Sequence, residues 1–181
     1  MIRWQPNFRG FLTRKWLTRG AIGLIMKAGV TVLVVSGMTR HWPLIVFNAS
    51  ASVPVGFYRV TYPDDLGTGD LVLVQTPAIA RGLADARRYL PKTVPMIKYI
   101  AASSGDTVCA QDETISINGG ILAVRRRRDS QYRPMPWWWN GCQTLHRGEV
   151  FLLNRSSPLS FDSRYFGPVS ASLIVGKLRA L

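Results

Sequence analysis

Asn48-Ala49-Ser50-Ala51-Ser52-Val53-Pro54-Val55-Gly56-Phe57-Tyr58 sets two hydroxyls, Ser50 and Ser52, two residues apart ahead of a proline. Alternate residues of an extended chain point the same way, so these two side chains are expected on one face. Pro54 fixes its own φ and pushes Val53 into an extended conformation, while Gly56 permits a turn before a strand begins. A stiff loop that presents one hydroxyl beside another suits a nucleophile flanked by an oxyanion donor. Taken alone, the pattern also fits an ordinary surface loop.

Two further stretches decide between these readings. In Met96-Ile97-Lys98-Tyr99-Ile100, followed by Gly105-Asp106, the period of two puts Met96, Lys98 and Ile100 on one strand face. A lysine on such an apolar face is unusual, because burying an ammonium without a partner is costly. The third stretch is Ser160-Phe161-Asp162-Ser163-Arg164-Tyr165-Phe166-Gly167-Pro168-Val169. In this order the three segments resemble the signature boxes of the type I signal peptidases, the serine–lysine membrane proteases. Those boxes read S-x-S-x-P-x-G-x-Y in one branch, then K-[RY]-[VI] with a downstream G-D, then S-x-D-S-R-x-x-G-x-V. The Pro-x-Gly-x-Tyr ending is closer to the conjugative-transfer branch (TraF type), and the resemblance runs from about Asn48 to the C-terminus. Val53 stands where methionine is commoner, Leu153-Asn154 replaces the end of a Gly-Asp-Asn, and Ala102-Ser103-Ser104 precedes Gly105-Asp106 in place of Gly-x-Pro. These departures loosen assignment to the housekeeping branch and leave the serine and the lysine untouched.

The resemblance implies a role for each matching residue. Ser52 is the expected nucleophile and Lys98 the general base. The Ser52 N–H and the Ser50 hydroxyl would hold the oxyanion, Ser160 would orient the lysine amine, and Asp162 with Arg164 would brace the site as an ion pair. A lysine acts as a base only when neutral, so its pKa must fall from about 10.4 by roughly three units, a bias of about 4 kcal/mol against the ammonium. Neither a metal nor a cofactor is expected. His41 and His146 are isolated and lie outside the boxes, which supports neither a zinc site nor a Ser-His-Asp arrangement.

The net charge of +13 invites a nucleic-acid reading, but its distribution argues otherwise. No acidic residue precedes Asp64, and from His41 onward 16 Lys/Arg face 10 Asp/Glu, so seven of the thirteen charges belong to the first forty residues. That basic arm, residues 1–20, leads into the apolar segment 21–38. Eighteen helical residues span about 27 Å, close to a bilayer core of roughly 30 Å. A membrane anchor, a cleaved signal peptide and a buried core helix compete for this segment. The anchor is the expectation, because no small-x-small cleavage site precedes the serine loop. The charge bias then puts the N-terminus in the cytoplasm and residues 42–181, the peptidase domain, in the periplasm.

The remaining chain reads as mainly β, a signal-peptidase-like domain of coiled sheets with one or two short helices after the anchor. Trp42-Pro43 and Leu44 to Phe47 read as an interfacial segment. Strands are expected at 56–62, 70–75, 95–102, 107–110, 114–117, 121–124, 149–153 and 174–178, with Asn118-Gly119 as the strongest hairpin signal. The spacing of Ile79, Leu83 and Ala86/Leu90 predicts a helix over 78–90 with those residues inward. Cys109 and Cys142 fit an oxidising compartment and are expected to form a disulfide, with two unpaired core cysteines as the alternative. The run Arg125–Arg128 reads as a solvated loop, or else a contact for lipid headgroups, and no aromatic pattern around it suggests nucleic acid. Trp137-Trp138-Trp139 cannot all face one core, so at least one is expected to be exposed at the membrane interface or along a groove.

The expected function is therefore a membrane-anchored serine endopeptidase of the inner membrane. The resemblance implies that it processes a membrane-embedded pilin precursor among other conjugation components, with hydrolysis and cyclisation both open. A general signal peptidase acting on secretory precursors and a non-catalytic membrane-tethered assembly protein are the rival readings. A self-cleaving repressor of the LexA type shares the dyad but would need a helix-turn-helix that this sequence does not display.

Overall fold

The computed structural model describes Leu24, Met26, Lys27 and residues 45–181. The expected arm 1–20, the rest of the expected anchor 21–38, and Trp42-Pro43 lie outside the described residues. Leu24, Met26 and Lys27 are helical and exposed, in a unit separate from the one that begins at Trp42. Among the described residues, no helix is long and apolar enough to cross a membrane.

The larger unit is built on two antiparallel sheets. Strands β1 (Ile45–Asn48), β2 (Gly56–Thr61), β3 (Leu71–Val74), β4 (Met96–Ala102), β9 (Glu149–Leu153), β10 (Val169–Ser170) and β11 (Ile174–Ala180) form the first, in the order β1-β2-β11-β3-β4-β9-β10. Strands β5 (Thr107–Gln111), β6 (Thr114–Ile117), β7 (Gly120–Val124) and β8 (Gly141–Thr144) form the second, in the order β7-β6-β5-β8. The mainly β expectation holds, and β1, β8 and β10 are strands that the periodicity did not announce. Residues 45–47, expected as part of an interfacial segment, instead pair with β2, in a register that runs from Ile45↔Arg59 to Asn48↔Gly56.

Three apolar clusters hold the sheets. Val72, Val74, Met96, Ile100, Leu152 and Phe166 pack on one face of the large sheet, and Val53, Tyr58, Leu71, Leu73 and Leu178 pack on the other. Ala102, Val108, Ala110, Ile115, Leu145 and Phe151 join the two sheets. β3 is buried along its whole length, which explains a four-residue run, Leu-Val-Leu-Val, with no polar alternation. At the Asn118-Gly119 turn both residues have positive φ, 50° and 81°, which matches the twist of a tight hairpin.

The helix spans Ala78–Ala86, shorter than expected, and its inward residues are Ala80 and Ala84. Ile79, assigned inward from its spacing, is 53% exposed. Ala80 and Ala84 are also four apart, and their methyl-sized side chains let the helix lie close against the sheet. The chain leaves the helix through Arg88 at φ 58°. A second helix, Ser163–Phe166, meets the expectation of one or two short helices and sits inside the third box, where no periodicity points to it.

Cys109 and Cys142 form a disulfide between directly opposed positions of β5 and β8. The arginine run departs from its solvated reading at its first member. Arg125 is fully buried, donating from Nε to Asp112 O at 2.6 Å, from Nη1 to Trp139 O at 2.9 Å, and from Nη2 to Asn140 Oδ1. The Trp137 ring covers it at 4.1 Å. The three tryptophans take three different environments, all half-buried and none exposed. Trp137 lies on Arg125, Trp138 packs beside Phe161, and Trp139 fits against Phe151 while donating Nε1–H to Ser163 O at 2.9 Å.

Candidate active site

The serine loop joins β1 to β2, and the Asn48↔Gly56 pair closes its base. The chain turns at Ala51–Ser52 instead of running extended, and the Ser50 and Ser52 Oγ atoms meet at 3.1 Å. The loop takes its shape from Asn48, whose side chain is buried at its base. Asn48 Nδ2 faces the carbonyls of Ser50 (2.9 Å), Val53 (3.0 Å) and Pro54 (3.0 Å). Asn48 Oδ1 accepts from Ser50 N–H at 3.0 Å and from Ser50 Oγ at 2.8 Å. Tyr58 OH also donates to Pro54 O, at 2.7 Å, which accounts physically for the Pro-x-Gly-x-Tyr spacing.

Lys98 lies mid-strand in β4, opposite Val72 of β3, with Met96 and Ile100 buried on the same face as period 2 requires. It is 6% exposed, and its Nζ is 2.7 Å from Ser160 Oγ. Its pKa falls from 10.5 to about 8, first because burial strips water from the ammonium; Asp162 opposes the fall and Arg164 adds to it. At pH 7 roughly a tenth of such a lysine is neutral.

Ser160 reaches Lys98 because the segment between β9 and the Ser163–Phe166 helix is tied at several points. Asp162 and Arg164 form a fully buried ion pair, with Arg164 Nε 2.9 Å from Asp162 Oδ1 and Nη2 3.0 Å from Oδ2. Arg164 Nη2 also donates to Asn154 O at 3.0 Å and to Ser157 O at 2.7 Å, while Asp162 Oδ2 accepts from Asn154 N–H at 3.1 Å. The pair thereby neutralises itself and satisfies the backbone of the loop that delivers Ser160. Asn154, fully buried, connects that loop to the lysine strand: its Nδ2 donates to Ile97 O at 3.2 Å and its Oδ1 accepts from Tyr99 N–H at 3.4 Å. In the sequence Asn154 stood out only as a departure from the family spacing.

Ser50, Ser52, Lys98 and Ser160 line one cavity of about 560 Å³, together with Met96, Tyr165, Arg126 and Arg128. Ser52 makes its side-chain contact with Ser50 and has no direct hydrogen bond to Lys98. No group of three or more His, Cys, Asp or Glu among the described residues could hold a metal ion. A hydroxyl pair and a partly neutral buried amine in one cavity can support acyl transfer.

A family model described as signal peptidase, peptidase S26, matches residues 15–181. The chain belongs to the signal peptidase family. Within that family it is similar to a plasmid transfer protein TraF of Escherichia coli, 30% identical over 171 residues that cover 91% of this chain and 93% of the relative. It is also similar to a probable conjugal transfer protein TraF of Sinorhizobium fredii, 31% identical over 174 residues covering 87% and 88% of the two chains. A signal peptidase I structure from Enterococcus faecalis aligns with a TM-score of 0.39 and 22% identity, over 65% of this chain and 99% of that one. As a signal peptidase family member the chain is a peptidase by class, and its serine and lysine segments both lie inside the matched residues.

Proposed function

We propose that this chain is a serine endopeptidase with a Ser52–Lys98 dyad that processes a membrane-inserted pilin precursor in conjugative transfer. The observation that carries the reading is Lys98: a buried lysine, depressed in pKa to about 8, in the same cavity as a paired serine loop. The similarity to proteins named for conjugal transfer supports the substrate class.

In this mechanism neutral Lys98 removes the Ser52 proton as Oγ attacks the scissile carbonyl. The oxyanion that forms is held by Ser52 N–H and the Ser50 hydroxyl. The intermediate collapses, the C–N bond breaks, and the leaving amine takes the proton from Lys98. Water, or the amino terminus of the same substrate, then attacks the acyl-enzyme and returns Ser52 Oγ its proton by way of Lys98. Attack by water gives a linear product and attack by the amine a cyclic one. The missing Ser52–Lys98 hydrogen bond is the ordinary condition of a site without substrate, since catalytic contacts often tighten only in the complex. Substrate would also remove the remaining water from Lys98 and lower its pKa further.

The same reading anchors the chain through residues 21–38 in the inner membrane, with domain 42–181 facing the periplasm. A pilin precursor co-expressed with wild-type protein, Ser52→Ala or Lys98→Ala, and weighed by mass spectrometry, tests it. Processing by wild type alone is expected, and a product lighter than the linear peptide by one water identifies cyclisation. Processing that survives Ser52→Ala overturns the nucleophile assignment. Processing of a secretory precursor in place of the pilin favours a general signal peptidase. Conjugation unimpaired by Ser52→Ala favours a tethered assembly protein.

A further inference from the structure

We propose that Asn48 is a positioning residue that sets the direction of the hydroxyl protons on Ser50 and Ser52, and so decides when Ser50 becomes an oxyanion donor. The inference deepens the reading of Ser52 as nucleophile and rests on it.

The orientation of the Asn48 amide follows from its surroundings. Three carbonyl oxygens, which only accept, surround Nδ2, and the backbone N–H of Ser50, which only donates, points at the other atom. That second atom must be Oδ1. Oδ1 also lies 2.8 Å from Ser50 Oγ, and because it only accepts, the Ser50 hydroxyl is the donor there. A hydroxyl carries one proton. Ser50 must therefore accept in its 3.1 Å contact with Ser52, and the Ser52 hydroxyl must donate. The chain of protons runs one way, from Ser52 to Ser50 to Asn48.

Two consequences follow for the reaction. Without substrate, the nucleophile's proton is directed at Ser50 and away from the amine of Lys98. The Ser50 proton, expected on the oxyanion, is meanwhile committed to Asn48. When Ser52 turns its proton to Lys98 as its Oγ attacks the carbonyl, Ser50 ceases to be an acceptor. Its O–H then rotates from Asn48 Oδ1 to the developing oxyanion. The oxygen need not move, because Ser50 N–H keeps its 3.0 Å bond to Oδ1 and holds the backbone in place. Asn48 thus fixes the Ser50 oxygen beside the nucleophile and acts as resting acceptor for its proton. Among the described residues, no backbone carbonyl accepts from Ser52 N–H, which leaves it available as the second donor.

Asn48 is never in contact with substrate in this scheme; its effect passes through Ser50. That makes a double-mutant cycle the decisive test. The full-length protein, its Ser52→Ala variant, Asn48→Ala, Ser50→Ala and the double variant are compared on one peptide spanning the cleavage site. Activity of wild type and none with Ser52→Ala first verify the underlying reading. Asn48→Ala is expected to lower kcat by about 10²-fold, the scale for loss of an oxyanion donor, with KM within about threefold. The acid limb set by Lys98 stays where it is in wild type. The double variant is expected to be no more than about threefold slower than the worse single variant, because both substitutions break the same chain. Losses that multiply, or a kcat for Asn48→Ala within about threefold of wild type, overturn the proposal. Circular dichroism reports folding, which Tyr58 supports by keeping its own bond to Pro54 O. Should Asn48→Ala fail to fold, Asn48→Ser runs through the same cycle.

Discussion

Lys98 Nζ lies 2.7 Å from Ser160 Oγ, although 62 residues of chain separate them. The contact joins the middle of β4 to a loop that contributes no strand of its own. What holds it is the buried Asp162–Arg164 pair, whose donors and acceptors are spent on the backbone of that loop. Ser160 gives the amine a fixed direction, while the apolar face of β4 supplies the dry surroundings that lower its pKa.

The pH dependence of cleavage follows from Lys98. With a pKa of about 8, the neutral amine gains with pH through that value, so kcat/KM is expected to rise along an acid limb centred near pH 8. A stopped assay between pH 5.5 and 9.5 measures it. A limb centred near pH 6.5 would point to a histidine and remove Lys98 from the role.

Stability should run against activity at the same residue. Below about pH 8 the folded chain holds an ammonium in a dry site, whereas the unfolded chain keeps it in water with a pKa near 10.5. The gap corresponds to a penalty of about 3 kcal/mol, fully present at pH 7 and relieved as pH rises from about 8 to 10.5, where the unfolded chain binds more protons. Lys98→Met keeps the volume and drops the charge, so it is expected to abolish cleavage and raise Tm at pH 7 by roughly 6–12 °C. Calorimetry should find this advantage shrinking towards pH 10.

Asp162 is expected to act on both properties at once. Asp162→Ala leaves the Arg164 guanidinium buried without a carboxylate, at a cost of about 3–5 kcal/mol in a denaturant titration. Asp162→Asn keeps the shape and removes the charge that favours the Lys98 ammonium, so the acid limb should move to lower pH. A limb displaced to higher pH would contradict this arrangement of charges.

The Cys109–Cys142 bond closes a span of 33 residues that contains β6, β7 and the cavity-lining residues Arg126, Arg128 and Met135. Replacing both cysteines by alanine should lower the unfolding free energy by roughly 3–4 kcal/mol on the chain-entropy account. Urea titrations of the oxidised protein and of the double variant provide the comparison.

Parts of this arrangement are legible in the sequence because they are local. The alternation of Met96, Lys98 and Ile100 puts the lysine on a buried face, and Asn118-Gly119 marks its hairpin without any knowledge of the rest. The contributions of Asn48 and Asn154 are not legible, since an asparagine carries no sign of which distant carbonyls it will satisfy. Arg125 misleads for a similar reason. Four arginines in a row suggest solvent, but Asp112 O, Trp139 O and Asn140 give the first of them enough acceptors to be buried. The helix packs one position out of phase with its large apolar residues: Ile79 is exposed, and two alanines, Ala80 and Ala84, make the close contact.

The placement of β11 has a consequence for biosynthesis. This strand lies between β2 and β3, pairing Leu178 with Val60 on one side and Lys177 with Val72 on the other. It is the seam between the hairpin that carries Ser50 and Ser52 and the strands that carry Lys98. A nascent chain that has not yet extended through Ile174–Ala180 has both pieces of chemistry but lacks the strand whose backbone pairing joins β2 to β3. Such long-range pairing forms slowly and late. On the proposed reading, a chain in which Ile174–Ala180 has not yet entered the sheet is expected to cleave nothing, so the emerging chain would be kept from cutting until that strand pairs with both neighbours.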